Sequence, residues 1–247
     1  ALKARTALLS FAAAQWLGSA GGDGFYAVLS HNMMLAIFIP AFLLPLLSVG
    51  VSLHRYWRHI GGQPINLRVT LDALRDAAMM RNLSGGHGEG CNFEAEDRFT
   101  QLRRISHQLT MWGFLLCFAA TASGTILHYA FDMPAPYGLL TLPKLLGVSG
   151  GVLLTFGAAK LAWLKPKGDK TLGDVRVWGG EMVFILLLLA VAVTGLMLYA
   201  VGGSVLMPAL LTLHLGAILA FFLLMPFSKM VHGFYRLTSL VRDAQLK

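Results

Sequence analysis

The stretch LHLGAILAFFLLMPFSKMVHGFYR, residues Leu213–Arg236, is a long apolar run with one histidine near its start, His214, and another at its far end, His232. A membrane-spanning helix needs about 20 mainly apolar residues, and this run supplies them. Because ionisable side chains are costly in hydrocarbon, a histidine inside a span is a candidate functional residue. If a helix runs through Pro226, the eighteen residues from His214 to His232 make about five whole turns and place both rings on one face.

The overall composition has the same apolar character. The chain has 247 residues, of which 56% are hydrophobic and 13% are charged. Soluble domains are about one quarter charged, so this composition indicates an integral membrane protein. The formal net charge of +8 would also suit a nucleic-acid binder, but the basic residues lie between apolar segments. We therefore predict membrane lipid as a partner, and no nucleic acid.

Five strong apolar segments follow one weak segment. The weak segment, 3–20, resembles a signal peptide in its basic start and apolar middle, and we interpret it as a short first membrane helix. The strong segments are 28–53, 107–130, 143–164, 177–201 and 208–231, and a long polar loop covers 55–106. The pattern predicts one all-α domain over residues 1–247, a polytopic membrane helix bundle with about six transmembrane helices.

Lysine and arginine set the predicted orientation, because they concentrate in cytoplasmic loops. They lie at the start of the first segment, fill the loop 55–106, lie between 164 and 177, and follow the last segment. Only Lys144 falls on the other side, where the loops are short. We predict that both termini are cytoplasmic and that soluble partners dock on the cytoplasmic face.

Five histidines fall at two predicted depths. His107 begins one segment and His232 ends another at the inner, basic side, whereas His31, His128 and His214 lie near the outer side. Imidazoles from facing helices at one depth are the ligands that a b-type haem iron needs in a helix bundle. We predict that His107 and His232 bind an inner haem b. For an outer haem we pair His214 with either His128 or His31, so the chain is expected to hold one or two haems.

Each histidine also has a simpler interpretation, in which it hydrogen-bonds a carbonyl or lies among lipid headgroups. Arginines one turn from the inner histidines are candidate partners of haem propionates, although the bias toward cytoplasmic arginine explains them equally well; they are Arg103, Arg104 and Arg236. Quinone reduction consumes protons, and Glu181 and Trp112 are candidates to line a quinone site. The two cysteines, Cys91 and Cys117, fit no disulfide, iron–sulfur or zinc motif.

The chain resembles the membrane portion of the tricarballylate utilisation protein B (CitB-type) family. The resemblance runs from about Phe25 to Arg242, and these segments carry it in order: FYAVLSHNM, GEGCNF, RRISHQLTMWGFLLCFAAT, LHY, APYGLLTLPKLLG, HLG and MPFSKMVHGFYR. It implies an electron-transfer partner for a flavoprotein that oxidises tricarballylate to cis-aconitate, with electrons crossing iron–sulfur clusters to reach haem and the quinone pool.

The family's histidines correspond to the five histidines already singled out. One further family histidine, next to His107, is replaced here by Gln108, which excludes a ligand role at that position. Family members also carry cysteine-rich, ferredoxin-like modules ahead of the first span, and the sequence shows none. We expect these modules to have been cut away, to lie on another chain, or to be replaced by a different complex.

These inferences predict a function. The chain is expected to be a b-type cytochrome subunit in the bacterial inner membrane, passing electrons between a cytoplasmic flavoprotein or iron–sulfur protein and membrane quinone. In enzymatic terms it would be the electron-transfer subunit of a flavin dehydrogenase–quinone oxidoreductase system. The alternative is a non-redox membrane anchor or assembly subunit. A transporter fits less well, because the polar residues lie at the edges of the spans and not at their centres.

Overall fold

The computed structural model describes residues 28–83, 93–94, 98–133, 135, 137–167 and 175–247. In these ranges the chain is almost entirely helical, which confirms the predicted all-α class. The helices are α1 His31–His59, α2 Leu67–Ala78, α3 Leu102–Phe131, α4 Leu142–Leu164, α5 Val175–Ala200, α6 Met207–Leu224 and α7 Val231–Leu246. The strands β1 Phe93–Glu94 and β2 Arg98–Phe99 form a two-residue antiparallel pair between α2 and α3.

Five of these helices are long and apolar enough to cross a membrane, namely α1, α3, α4 with its following turn, α5 from Trp178 onward, and α6 with the turn Met225–Phe227. Each overlaps one of the five strong segments. The weak segment 3–20 lies outside the described residues, as do His87 and Cys91.

α1 is capped at its start by Ser30 and extends beyond the end of the predicted apolar segment 28–53. The hydroxyl of Ser30 accepts from the amide of Met33, which satisfies one free donor of the first turn. The helix then continues six residues beyond position 53, to His59. This last part stays helical because it packs on α7: the Tyr56 ring lies 5.0 Å from that of Tyr235.

The segment predicted as one span over 208–231 is divided in the structure. α6 ends at Leu224, a 3₁₀ turn covers Met225–Phe227, and α7 starts at Val231. Pro226 causes the break, since proline has no amide hydrogen and its ring clashes with the preceding turn. The hydroxyl of Ser228 accepts from the amide of Met230 and so helps to start the new helix. His214 and His232 therefore lie on different helices, and the single-helix alignment does not apply.

α3 and α4 make the closest helix contact in the bundle, and glycines permit it. A Cβ atom on Gly113 would lie 2.4 Å from the amide nitrogen of Leu154, and one on Gly157 would lie 2.5 Å from that of Thr110. Small residues let helix backbones approach in this way in membranes. α4, α5 and α6 continue the bundle, with Ala158, Leu188 and Phe221 in one buried cluster.

The polar loop 55–106 contains more structure than its sequence suggested. α2 packs on α7 at the end of the bundle where α1 finishes and α3 begins, which we call the basic end. There Gln245 donates to the carbonyls of Gln63 and Pro64, and Arg242 donates to the carbonyl of Ile60. The carboxyl-terminal helix is thus tied to the exit of the first described span.

Candidate functional site

The inner histidines come together at the basic end. His107, in the second turn of α3, and His232, the second residue of α7, have ring centres 5.9 Å apart and ring planes inclined by 52°. The break at Pro226 positions this contact, because it frees α7 to set its own direction. Two helices that are far apart in the sequence thus present imidazoles to each other.

The environment of His232 fixes which ring nitrogen carries the proton. Nδ1 of His232 is hydrogen-bonded to the backbone carbonyl of Lys229. A carbonyl oxygen only accepts, so Nδ1 must be the donor. In a neutral imidazole the other nitrogen, Nε2, then has a free lone pair, which is the form that binds a metal.

His107 contributes a buried polar atom that lacks a partner. Its Nδ1 is shielded from solvent and has no hydrogen bond among the described residues. Buried nitrogen atoms of this kind are normally satisfied, so an unpaired one calls for an explanation.

The separation of the inner rings suits coordination of one metal atom between them. Two metal–nitrogen bonds of about 2 Å, plus about 1 Å from each nitrogen to its ring centre, place two ring centres about 6 Å apart. The observed 5.9 Å matches this value. In the described part of the chain no three His, Cys, Asp or Glu side chains cluster to hold a metal ion. A pair of imidazoles is the protein set for a haem iron, whose other four ligands come from the porphyrin.

The second pair lies at the opposite end of the bundle. His31, the first residue of α1, and His128 of α3 have ring centres 5.2 Å apart, inclined by 38°. Nε2 of His31 is 3.0 Å from the Tyr129 hydroxyl, and the Tyr129 ring packs edge-on against His128 at 4.7 Å. These rings stand closer than the value of about 6 Å for a shared metal, and one nitrogen of His31 is already engaged by Tyr129.

His214 lies against α5. Its Nδ1 is 3.0 Å from the Thr194 hydroxyl, which is itself 2.6 Å from the Ala190 carbonyl. Since the single hydroxyl proton goes to that carbonyl, Thr194 accepts from Nδ1 of His214, and Nε2 is left with a free lone pair. Gly195 makes room for the ring, because a Cβ there would be 3.0 Å from Cε1 of His214. The structure therefore groups His31 with His128 and places His214 beside Thr194.

Replacing Thr194 by valine tests this contact, since valine keeps the shape but removes the accepting oxygen. Thr194 is buried, and a buried donor left unpaired costs about 1–3 kcal/mol. We expect Thr194→Val to lower the unfolding temperature of the detergent-solubilised protein by about 2–4 °C per kcal/mol, and Thr194→Ser to restore it. Thr212→Val, on the exposed face of α6, should have no effect. Equal shifts for both valine variants would show that the His214 contact is unimportant.

A layer of phenylalanine rings separates the two histidine pairs. Its members come from α1, α3, α5 and α6, and they are Phe42, Phe114, Phe118, Phe184, Phe221 and Phe222. Phe42 lies 5.1 Å from Phe222 and 6.1 Å from Phe118, while Phe221 lies 5.5 Å from Phe114. On α3, Phe114 and Phe118 fall between His107 and His128. The part of the bundle between the two histidine pairs thus holds a cluster of aromatic rings, and the histidine pairs lie toward its ends.

The three candidate arginines are placed differently. Arg236 is exposed, one turn after His232, and Arg103 is half-buried in the first turn of α3. Arg104 turns toward α2: its Nη2 donates to the Met79 carbonyl at 2.8 Å, and it lines a cleft of about 640 Å³ together with Arg75 and Lys247. Lys144, at the opposite end, lies 4.4 Å over the Tyr199 ring.

Three residues that fix the rings were not identified from the sequence. Tyr129 and Thr194 bind ring nitrogens, and Lys229 does so through its backbone. Tyr129 was the most accessible signal, because a tyrosine hydroxyl at the end of a span is a ready hydrogen-bond partner for a histidine on another helix. A backbone carbonyl gives no sequence signal at all.

The part of the chain that the structure describes is α-helical, with five helices of membrane-spanning length and composition. The family profile of citrate utilization protein B matches residues 2–247, and the chain belongs to this family, as its motifs predicted. Citrate utilization protein B of Escherichia coli is 41% identical over 226 residues, which make up 90% of this chain and 58% of that protein. The chain thus spans 58% of the length of this curated relative. No solved structure matches the chain.

Proposed function

We propose that this chain is a b-type cytochrome subunit of the bacterial inner membrane, with both termini cytoplasmic, that carries electrons between a cytoplasmic redox partner and membrane quinone. The observation that supports it best is the inner histidine pair. Its ring separation of 5.9 Å suits one bound iron, and the Lys229 carbonyl leaves Nε2 of His232 free to coordinate.

The residues of the basic end would hold and surround one haem b. His107 and His232 would be the axial ligands, with Arg236 and Arg103 near enough in sequence to meet propionates. Haem supplies a one-electron couple when it is bound. The helices hold both imidazoles in place, and the Lys229 carbonyl keeps the proton of His232 on Nδ1.

A second haem at the opposite end is supported by the other three histidines. His31 and His128 would have to separate by about 1 Å to share a metal. His214 on α6 has an Nε2 available for coordination, but its ring is hydrogen-bonded to Thr194 of α5 and is not paired with another histidine among the described residues. The outer ligands are therefore drawn from these three, and the inner site is the better defined of the two.

The partner is proposed from the family. The Escherichia coli relative is named for citrate utilization and is longer than this chain. We take the cytoplasmic partners to be a flavoprotein and an iron–sulfur protein or domain, with tricarballylate or citrate metabolism as the setting. The lysines and arginines of the basic end suit an acidic docking surface on such a partner.

A spectrum of the purified chain tests the haem directly. We expect the detergent-solubilised protein, reduced with dithionite, to show b-type difference bands and to contain one or two haems per chain by pyridine haemochromogen assay. Adding an oxidised short-chain quinone should reverse the bands. Helical, correctly sized protein that repeatedly carries no haem would contradict the proposal and favour the non-redox membrane anchor.

A further inference from the structure

Glu181 is a carboxylate held between two lysines at the basic end. It lies in the second turn of α5, and its two oxygens accept from Nζ of Lys165, after α4, and from Nζ of Lys229, between α6 and α7. The side chains of Lys165 and Glu181 are only 14% and 22% exposed. The charges of this Lys165–Glu181 pair are screened from water and so attract each other more strongly than those of a surface pair. Glu181 therefore fastens three separate elements of the bundle to one another.

Lys229 makes a second contact through its backbone. Its carbonyl accepts from Nδ1 of His232 and also, at 3.3 Å, from the backbone amide of His232. The residue whose side chain is bound to Glu181 is thus the residue that orients the His232 ring. The connection between α6 and α7 is short and bounded by the Pro226 turn, so a displacement of Lys229 moves its carbonyl and with it the ring.

We propose that Glu181 is a positioning residue for the inner histidine pair: it holds Lys229, whose carbonyl orients His232, and its charge sets the redox potential of the haem bound there. This inference rests on the proposed function, since it concerns the haem of that site. Partners of this kind that orient a metal ligand typically change metal affinity or activity by about 10- to 100-fold when they are removed.

The charges of the three residues predict the direction in which each substitution changes the redox potential. Lys165, Glu181 and Lys229 together carry one net positive charge. The iron site loses one positive charge when ferric iron takes up one electron, so a more positive surrounding favours the ferrous form. Removing the negative charge of Glu181 should raise the potential, and removing the positive charge of Lys229 should lower it.

Two variants that break the same ion pair test this. In redox titrations of the purified protein we expect Glu181→Gln to raise the ferrous-to-ferric ratio of the inner haem about 3- to 10-fold at a fixed ambient potential, and Lys229→Met to lower it similarly. Tenfold corresponds to 59 mV for one electron. Both variants should also broaden the low-spin electron paramagnetic resonance signal, because His232 is held less firmly.

The control breaks an ion pair that is remote from the histidines. Asp243 on α7 and Lys247, the residue directly after α7, form an exposed pair at 2.7 Å. Asp243→Asn should leave the ratio and the signal unchanged. A purely structural role for Glu181 predicts shifts of the same sign in Glu181→Gln and Lys229→Met, and that result would overturn the inference. If Glu181→Gln does not accumulate as folded protein, Lys229→Met decides alone, since that side chain is half exposed and the ratio must fall.

Two different results would refute the proposed function and the role of Glu181. A native chain without haem refutes the proposed function itself. A native chain that holds haem, loses it in His232→Ala, and shows no opposite shifts in the two ion-pair variants refutes only the role of Glu181.

Discussion

Under the proposed function, a chain with alanine in place of His232 is expected to retain about tenfold less inner haem than the native chain, because one of the two proposed iron ligands is gone. His107→Ala should have the same effect, since His107 is the other proposed axial ligand and its ring centre lies 5.9 Å from that of His232. The measurement is the ratio of haem to protein after purification in detergent, read together with the reduced spectrum. If the outer site also holds haem, the remaining bands belong to that haem alone.

The matched control is His59→Ala. His59 is exposed at the end of α1, on the same basic end, and its loss should leave the haem content unchanged. His128→Ala should remove only haem at the opposite end. If His232→Ala kept its full haem content, or His59→Ala lost as much as His232→Ala, the inner pair would not be the site.

The second large effect concerns the contact between α3 and α4. Gly113→Ala adds a methyl group 2.4 Å from the Leu154 amide nitrogen and 2.8 Å from the Gly150 carbonyl oxygen. Because these are backbone atoms, the helices must move apart, at a cost of about 1–3 kcal/mol or more. This exceeds the gain of about 1 kcal/mol that alanine normally brings to a helix. We expect a clear fall in unfolding temperature, and the same for Gly157→Ala.

Open glycines supply the comparison. Gly50 in α1 and Gly216 in α6 have no heavy atom within 4 Å of an added Cβ. Gly50→Ala and Gly216→Ala should therefore be neutral or stabilising by up to about 1 kcal/mol. Thermal unfolding of all four variants, followed by circular dichroism in one detergent, shows whether the sign of the stability change depends on the neighbouring backbone. Equal behaviour of the two sets would mean that α3 and α4 do not pack this closely.

Much of the fold followed from sequence because the length of an apolar run is a local property. The five strong segments all overlap helices of spanning length. α2 and α7 were not predicted. Both are amphipathic helices that mix apolar and charged residues, so neither forms the continuous apolar run from which the spans were recognised. Pro226 was recognised as a disturbance, but a new helix starts after it because of Ser228 and contacts with α1, which are tertiary.

The end of the bundle at which each histidine lies could be predicted from sequence, whereas the direction of each ring could not. His107 and His232 were paired because each lies at the basic end of its predicted span, and the structure places their rings together. The partner of His214 stayed open because position along a helix says little about rotation around it. The rotation is decided by Thr194 and by the space at Gly195 on a neighbouring helix.

The phenylalanine layer also bears on how charge crosses this bundle. A phenyl ring offers a hydrogen ion neither a donor nor an acceptor, and the six rings of the layer span four helices. An ion moving through such a layer would lose its hydration at great cost. If the proposed redox function holds, we expect this layer to oppose the passage of ions, so that electrons move between the two ends while each half takes up or releases protons on its own side.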